Sequence, residues 1–272
     1  MDDYPAFYDD APTLIMFDPL AAFLGASRDG RITYRYVDAV RLAGHSCPTV
    51  AGAYLLTLRA LRRLYDGARP VRGEIEVHMR GQGGDGVTGV VARVVSLLTG
   101  AAQEDGFKGI GGRFSRRGLL VFGANIDGQI GFRRRDTGAG VLASLDTAAV
   151  STDPAMPGVI GRVLAGTADA PDEARFRALW QDRVRRLMIE HAEDPRLITV
   201  SDWAADPSRP VTSDSAASSA DAAGLVQRQG RGRARITGEE NCRSEASVQR
   251  DGAGLVGAGA AARHVGNDPG LG

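Results

Sequence analysis

Lysine is what this sequence most lacks: of 33 basic residues a single one, Lys108, is not arginine. The bias fits a GC-rich genome and excludes no function, but it singles out Lys108. Cysteine is nearly as scarce, with only Cys47 and Cys242 far apart in the chain. A disulfide framework is thereby excluded. Net charge is missing too, because 33 acidic residues balance the 33 basic ones. That removes any global electrostatic case for nucleic acid or an anionic membrane. No apolar run reaches the roughly 18 residues that a membrane span needs. The most apolar window, Val87 to Ala102, is broken by Arg93 and reads as a buried helix. Met1-Asp2-Asp3-Tyr4 has neither the basic nor the apolar region of a secretory signal, so a cytoplasmic location is the expectation.

Composition shifts near Asp202. From Ala204 onward the large apolar residues thin to Leu225, Ile236, Leu255 and Leu271 among Ala, Gly, Ser, Arg and Asp. Such a segment buries too little apolar surface to offset its ordering entropy. Residues 1–203 are therefore read as one domain and 204–272 as a disordered tail. A shifted reading frame would give the same composition, and both explanations stay open.

Within 1–203 the patterns are mixed. Asp18-Pro19 caps a short helix to Leu24, and Asp29-Gly30 turns into a strand from Ile32 to Tyr36. Pro48 starts a helix to Tyr65, with Val50, Tyr54, Leu58, Leu61 and Tyr65 on one face. Gly73 to Arg80 alternates, pointing Ile75, Val77 and Met79 inward and Glu74, Glu76 and His78 outward. Asp85 is read as the cap of a helix from Val87 to Leu98, closed by Gly100. Residues 119–124 and 129–134 flank Asn125-Ile126-Asp127-Gly128 and predict a hairpin. Further strands are expected at 141–145 and 197–200. Pro171 opens an amphipathic helix to about His191 carrying Phe176, Trp180, Val184, Leu187 and Met188. Hairpins mixed with helices predict an α+β fold, a mixed or antiparallel sheet packed against helices.

The residues with chemistry to offer centre on His45-Ser46-Cys47-Pro48, at a loop-to-helix junction. Amides at a helix N-terminus stabilise a neighbouring negative charge, and the thiolate is the metal-binding form of cysteine. Sulfur beside imidazole suits a divalent transition metal, zinc foremost with nickel and iron as alternatives. Two ligands are too few for a closed structural site, so water, another side chain or another protomer would complete it. The plain alternative is a packed cysteine beside a surface histidine. Asp85 has two readings as well, a helix cap or a group that ligates or orients a metal-bound water. His78 reads as a solvated or interface histidine, and His191 as a helix C-terminal cation. In 106–113 the closely spaced glycines with Lys108 and Arg113 read as a tight connection, or as a cradle for a small anion. The order of residues is not that of a P-loop. Arg133-Arg134-Arg135-Asp136 and the tail arginines lack interleaved aromatics, which argues against nucleic acid.

The stretch Gly44-His45-Ser46-Cys47-Pro48-Thr49-Val50-Ala51-Gly52-Ala53-Tyr54 resembles the signature and following helix of the formylmethanofuran dehydrogenase FmdE family. The likeness extends through Arg72-Gly73-Glu74-Ile75, Asp85-Gly86-Val87-Thr88-Gly89-Val90, Thr99-Gly100-Ala101 and Gly106 to Gly112, covering roughly residues 30 to 140. It implies an α+β core, a homodimer, and metal ligation by His45 and Cys47. Two departures stand out. Relatives carry Cys-x-x-Asp where this chain reads Gln82-Gly83-Gly84-Asp85, and the cysteine-rich zinc domain of some relatives is missing. Electron transfer through a cysteine cluster is thus not expected. Three functions follow as expectations: an enzyme using Asp85 and Lys108 beside the metal on a small anionic substrate, a metal carrier or sensor, or a structural component of a redox complex.

Overall fold

The computed structural model describes residues 4–204, and the tail read from the sequence lies outside them except for Ala204. All described residues belong to one compact unit. Its elements run α1 (Phe7–Asp10), β1 (Leu14–Phe17), α2 (Pro19–Phe23), β2 (Arg31–Tyr34), α3 (Tyr36–Ala43), α4 (Pro48–Tyr65), β3 (Ile75–Met79) and α5 (Thr88–Thr99). There follow β4 (Leu120–Val121), β5 (Ile130–Arg134), β6 (Gly140–Leu145), α6 (Met156–Leu164), α7 (Ala170–Arg185) and β7 (Ile198–Trp203). One π-helical turn, Arg186–Glu190, extends α7 toward His191.

The main sheet has the order β4-β3-β5-β6-β7, and β1 with β2 forms a separate two-stranded sheet. Only the β3–β4 pair is parallel. The α+β expectation with a mixed sheet therefore stands. Helix α4 packs on β5, β6 and β7 and is flanked by α3, α5 and α7. The predicted stripe Val50, Tyr54, Leu58, Leu61 and Tyr65 is buried, and so are Ala51, Leu55, Leu56, Ala60 and Leu64. A helix buried nearly all round is the centre of a core rather than its cover. At Gly52 the Leu145 side chain fills the space a Cβ would need, so α4 sits against β6 at a glycine.

The predicted 119–124/129–134 hairpin does not form. Its two arms lie on opposite sides of β3, with Val77 opposite Leu120 on one edge and opposite Phe132 on the other. The local turn signal lost to the pairing preference of β3, which takes β4 parallel after the α5 crossover. The hairpin that does form joins β5 to β6. Residues 35–36 also differ from expectation, since β2 ends at Tyr34 and Tyr36 starts α3. There the Asp38 carboxylate reaches back to the Arg35 amide (2.8 Å).

The far face of the sheet is not simply solvated. Trp203 lies over Gly131, where a Cβ would meet its ring at 2.8 Å. The Arg133 guanidinium stacks over the same indole at 4.0 Å, and Glu76 is 7% exposed. Arg134 is held by Asp136 and Arg135 by Glu74 (3.2 Å). The arginine run is thus committed to packing and pairing rather than forming a solvated face.

Candidate functional site

Helix α3 stops at Gly44, whose φ of 73° suits glycine and whose amide donates to the Val40 carbonyl (2.8 Å). The chain then turns into α4 through three residues with distinct environments. His45 is exposed, and its Nδ1 lies 3.0 Å from the Ala43 carbonyl oxygen. A carbonyl only accepts, so Nδ1 carries a proton here, and in the neutral ring the lone pair is on Nε2. Ser46 is buried and anchored from two sides. Its hydroxyl is 2.8 Å from the Tyr36 hydroxyl, and its carbonyl accepts from Trp180 Nε1 at 2.9 Å. Gln181 Nε2 donates to the same carbonyl at 3.5 Å. Burial pushes the Tyr36 and Tyr8 phenols up, so both stay neutral around this anchor.

Cys47 is the N-cap of α4, in extended backbone, with Pro48 as the first helical residue. Its Sγ accepts the Val50 amide at 3.5 Å, and the residue is only 9% exposed. Imidazole nitrogen and sulfur therefore flank a serine that two elements, one bearing a tyrosine and the other a tryptophan, lock in place. The donor set fits a borderline-soft divalent ion. Among the described residues no three His, Cys, Asp or Glu side chains gather as a metal-holding group. His45, Cys47 and Asp85 thus do not make a three-donor cluster within the chain.

Asp85 does not cap α5. That helix begins after Val87 with no side-chain cap, and the Asp85 carboxylate instead accepts the Gln82 amide at 2.8 Å. The Gln82–Asp85 turn, closed by an Asp85 N–H to Gln82 carbonyl bond of 3.0 Å, captures the carboxylate before the helix starts. Lys108 is exposed and makes no ion pair among the described residues. The loop around it is a miniature hairpin. Ile110 and Arg113 exchange backbone bonds of 2.9 and 3.0 Å across Gly111 and Gly112, both at positive φ. Those two amides are spent on each other's carbonyls, so the loop is a tight connection rather than a convergent anion nest.

His78 stands on the far face of β3. Its buried Nε2 has no hydrogen-bond partner, lies 3.7 Å from Glu76, and its ring meets the Trp203 edge. His191 pairs with Asp194 at 3.1 Å, as a helix-terminal histidine. Cys242 and His264 lie outside the described residues.

Sequence patterns missed one buried network. Asp18 is 3% exposed, caps α2 through the Leu20 amide (2.9 Å), and binds Arg72 (3.0 Å) and Arg116 (2.8 Å). Burial pushes its carboxyl up, but the Arg116 charge and the Arg72 hydrogen bond outweigh that and hold it below the usual carboxylate range. The arginines stand far from Asp18 in sequence, so nothing local pointed to them. Ser46 was equally silent, because Trp180 read only as part of an apolar stripe.

No family model and no curated protein matches this chain. Among solved structures, a tungsten formylmethanofuran dehydrogenase FmdE-like protein from Syntrophus aciditrophicus overlaps 74% of this chain and 80% of its own. The identity is 15% and the TM-score 0.34. An overlap that loose places no side chain and assigns no chemistry. Among the described residues no helix is long and apolar enough to cross a membrane.

Proposed function

We propose that the chain binds a divalent transition metal, zinc foremost, through His45 Nε2 and Cys47 Sγ. The observation that carries this reading is the Nδ1 contact to the Ala43 carbonyl, which leaves Nε2 of the neutral ring free to ligate, two residues in sequence from the sulfur that the Val50 amide fixes. A hydrogen bond of that kind is how ligating histidines are commonly oriented. The resemblance of Gly44 to Pro48 to the FmdE signature supports the same pair. Two donors leave positions for water, a bound molecule, or a group from the second copy of a homodimer. A metal so held supplies Lewis acidity or an activated water. Cys47 and His45 hold it, Ser46 fixes their separation, and the exposed Lys108 is available to an anionic substrate. Asp85, whose carboxylate is engaged by the Gln82 amide, is not among the proposed ligands.

A second reading is favoured by a specific contact. Cys47 accepts the Val50 amide and belongs to the hydrophobic core, as a purely structural cap would. Elemental analysis of untagged protein separates the two, with wild type measured beside the His45→Ala/Cys47→Ala variant. Stoichiometric zinc, nickel or iron lost in the variant supports the metal. Metal-free wild type overturns it and leaves the cap.

A further inference from the structure

A cleft of about 690 Å³ runs along α5 and into the segments on either side of it. That size lies within the range that holds small organic ligands. His45, Cys47, Asp85 and Lys108 are not in its lining, although Leu42 near the end of α3 and Gln82, the partner of Asp85, are. Small residues, Gly89, Ala92 and Ser96 on α5 and Gly100 at its C-cap, are part of its lining. Its large apolar lining residues are Leu42, Leu97, Leu120 and Phe122.

Three charged side chains line it, and they differ in a way that matters. Arg72 is already satisfied, with Asp18 at 3.0 Å and the Leu97 carbonyl at 3.1 Å. Arg93 makes no hydrogen bond or ion pair among the described residues, and neither does the Asp105 side chain. Arg93 projects from the middle of α5, whereas Asp105 follows beyond the helix end at Gly100. Two opposite charges thus share one concave surface without pairing with each other.

We propose that this cleft binds a small organic zwitterion: a carboxylate on Arg93, an ammonium on Asp105, and an apolar body against Leu97 and Phe122. Guanidinium meets a carboxylate through a planar two-bond fork, which fixes one end of the ligand. The carboxylate of Asp105 selects a cationic group at the other. A purely apolar ligand would engage neither charge and would gain only the apolar contacts of the groove. A helix from a second copy would have to bring a carboxylate and a cation in register with the two.

The test uses the full chain and two probes, para-(aminomethyl)benzoate and benzoate, titrated by two-dimensional NMR. Wild type is expected to bind the aminomethyl compound saturably at millimolar concentration or below. Arg93→Gln should weaken both probes about tenfold, the loss of one charge-assisted pair. Asp105→Asn should weaken only the aminomethyl compound. Ser96→Phe, which places a ring in the cleft, should abolish both, and His45→Ala/Cys47→Ala should change neither. Arg93 is exposed and unbonded, so unchanged melting of Arg93→Gln confirms that binding alone is altered. No saturation below about 10 mM, or equal binding by wild type and Arg93→Gln, overturns the proposal. Concentration-dependent dimerisation that Ser96→Phe abolishes, with no probe bound, overturns it in favour of a second copy in the cleft.

Discussion

The starts of α4 and α5 look alike in sequence and differ in structure. Each has a polar residue just ahead of an apolar helix, Cys47 before one and Asp85 before the other. Cys47 caps its helix because the preceding Ser46 is pinned by Tyr36 and Trp180, which leaves the chain one way to enter α4. Asp85 follows Gly83 and Gly84, and nothing distant holds it, so its carboxylate turns back to Gln82. The start of α2 is a third case. Asp18 caps locally and also binds two arginines from far along the chain. A cap is thus a local offer, and tertiary anchoring decides whether it is taken up.

Breaking the most heavily anchored start should have the largest effect. Asn is as good a cap as Asp, so Asp18→Asn keeps the local cap but removes the charge, turns the oxygen that Arg72 binds into a donor and strands Arg116 in the interior. Breaking a buried pair in this way costs roughly 3 kcal/mol, readable by urea denaturation. The same pair sets an acid response. Because the folded carboxyl lies below its unfolded value, its contribution is fully present above about pH 4 and fades as pH falls through the folded value. Denaturation midpoints of wild type should fall over that window, and those of Asp18→Asn should fall less. A parallel decline in both would locate the acid sensitivity elsewhere.

Removing an anchor rather than a cap comes next. Trp180→Phe keeps an aromatic ring and deletes the indole donor to Ser46, leaving that buried carbonyl with the weaker Gln181 contact. A loss of about 1 kcal/mol is expected, with faster amide exchange at Ser46 and Cys47. Exchange unchanged at those residues would show that Tyr36 and Gln181 suffice to fix the segment. Cys47→Ala removes a weak sulfur acceptor while Pro48 and the Ser46 anchors remain, so it should cost at most about 1 kcal/mol. Calorimetry of Cys47→Ser, a stronger cap, should show that loss recovered, whereas metal retention should not recover. The smallest effect belongs to Asp85→Ala. Its carboxylate holds only a surface turn, so melting should stay within about 0.5 kcal/mol of wild type. A larger loss would mean that the turn is needed to start α5.

Much of the fold was legible in local pattern. The α4 stripe, the alternation of β3 and the amphipathic α7 each carried their own periodicity, and all three elements form where that periodicity put them. The hairpin across Asn125 to Gly128 was misread because a turn motif is cheap and strand pairing is not local. Val77 had two edges to offer, and the arms took one each. Of the candidate site, His45 and Cys47 were visible as residue types at a helix start. The contacts that orient them were not, since Ala43 offers only a backbone carbonyl and Trp180 stands on a helix 134 residues from Ser46.

By itself the sequence determined α4, β3 and α7 and the apolar face each turns inward, because side-chain periodicity acts over a few residues. Tertiary structure alone decided strand order, the Asp18–Arg72–Arg116 cluster, and the fixing of Ser46 between its two flanking partners. Those depend on groups that meet only after the chain has closed long loops, and no local pattern encodes the partner.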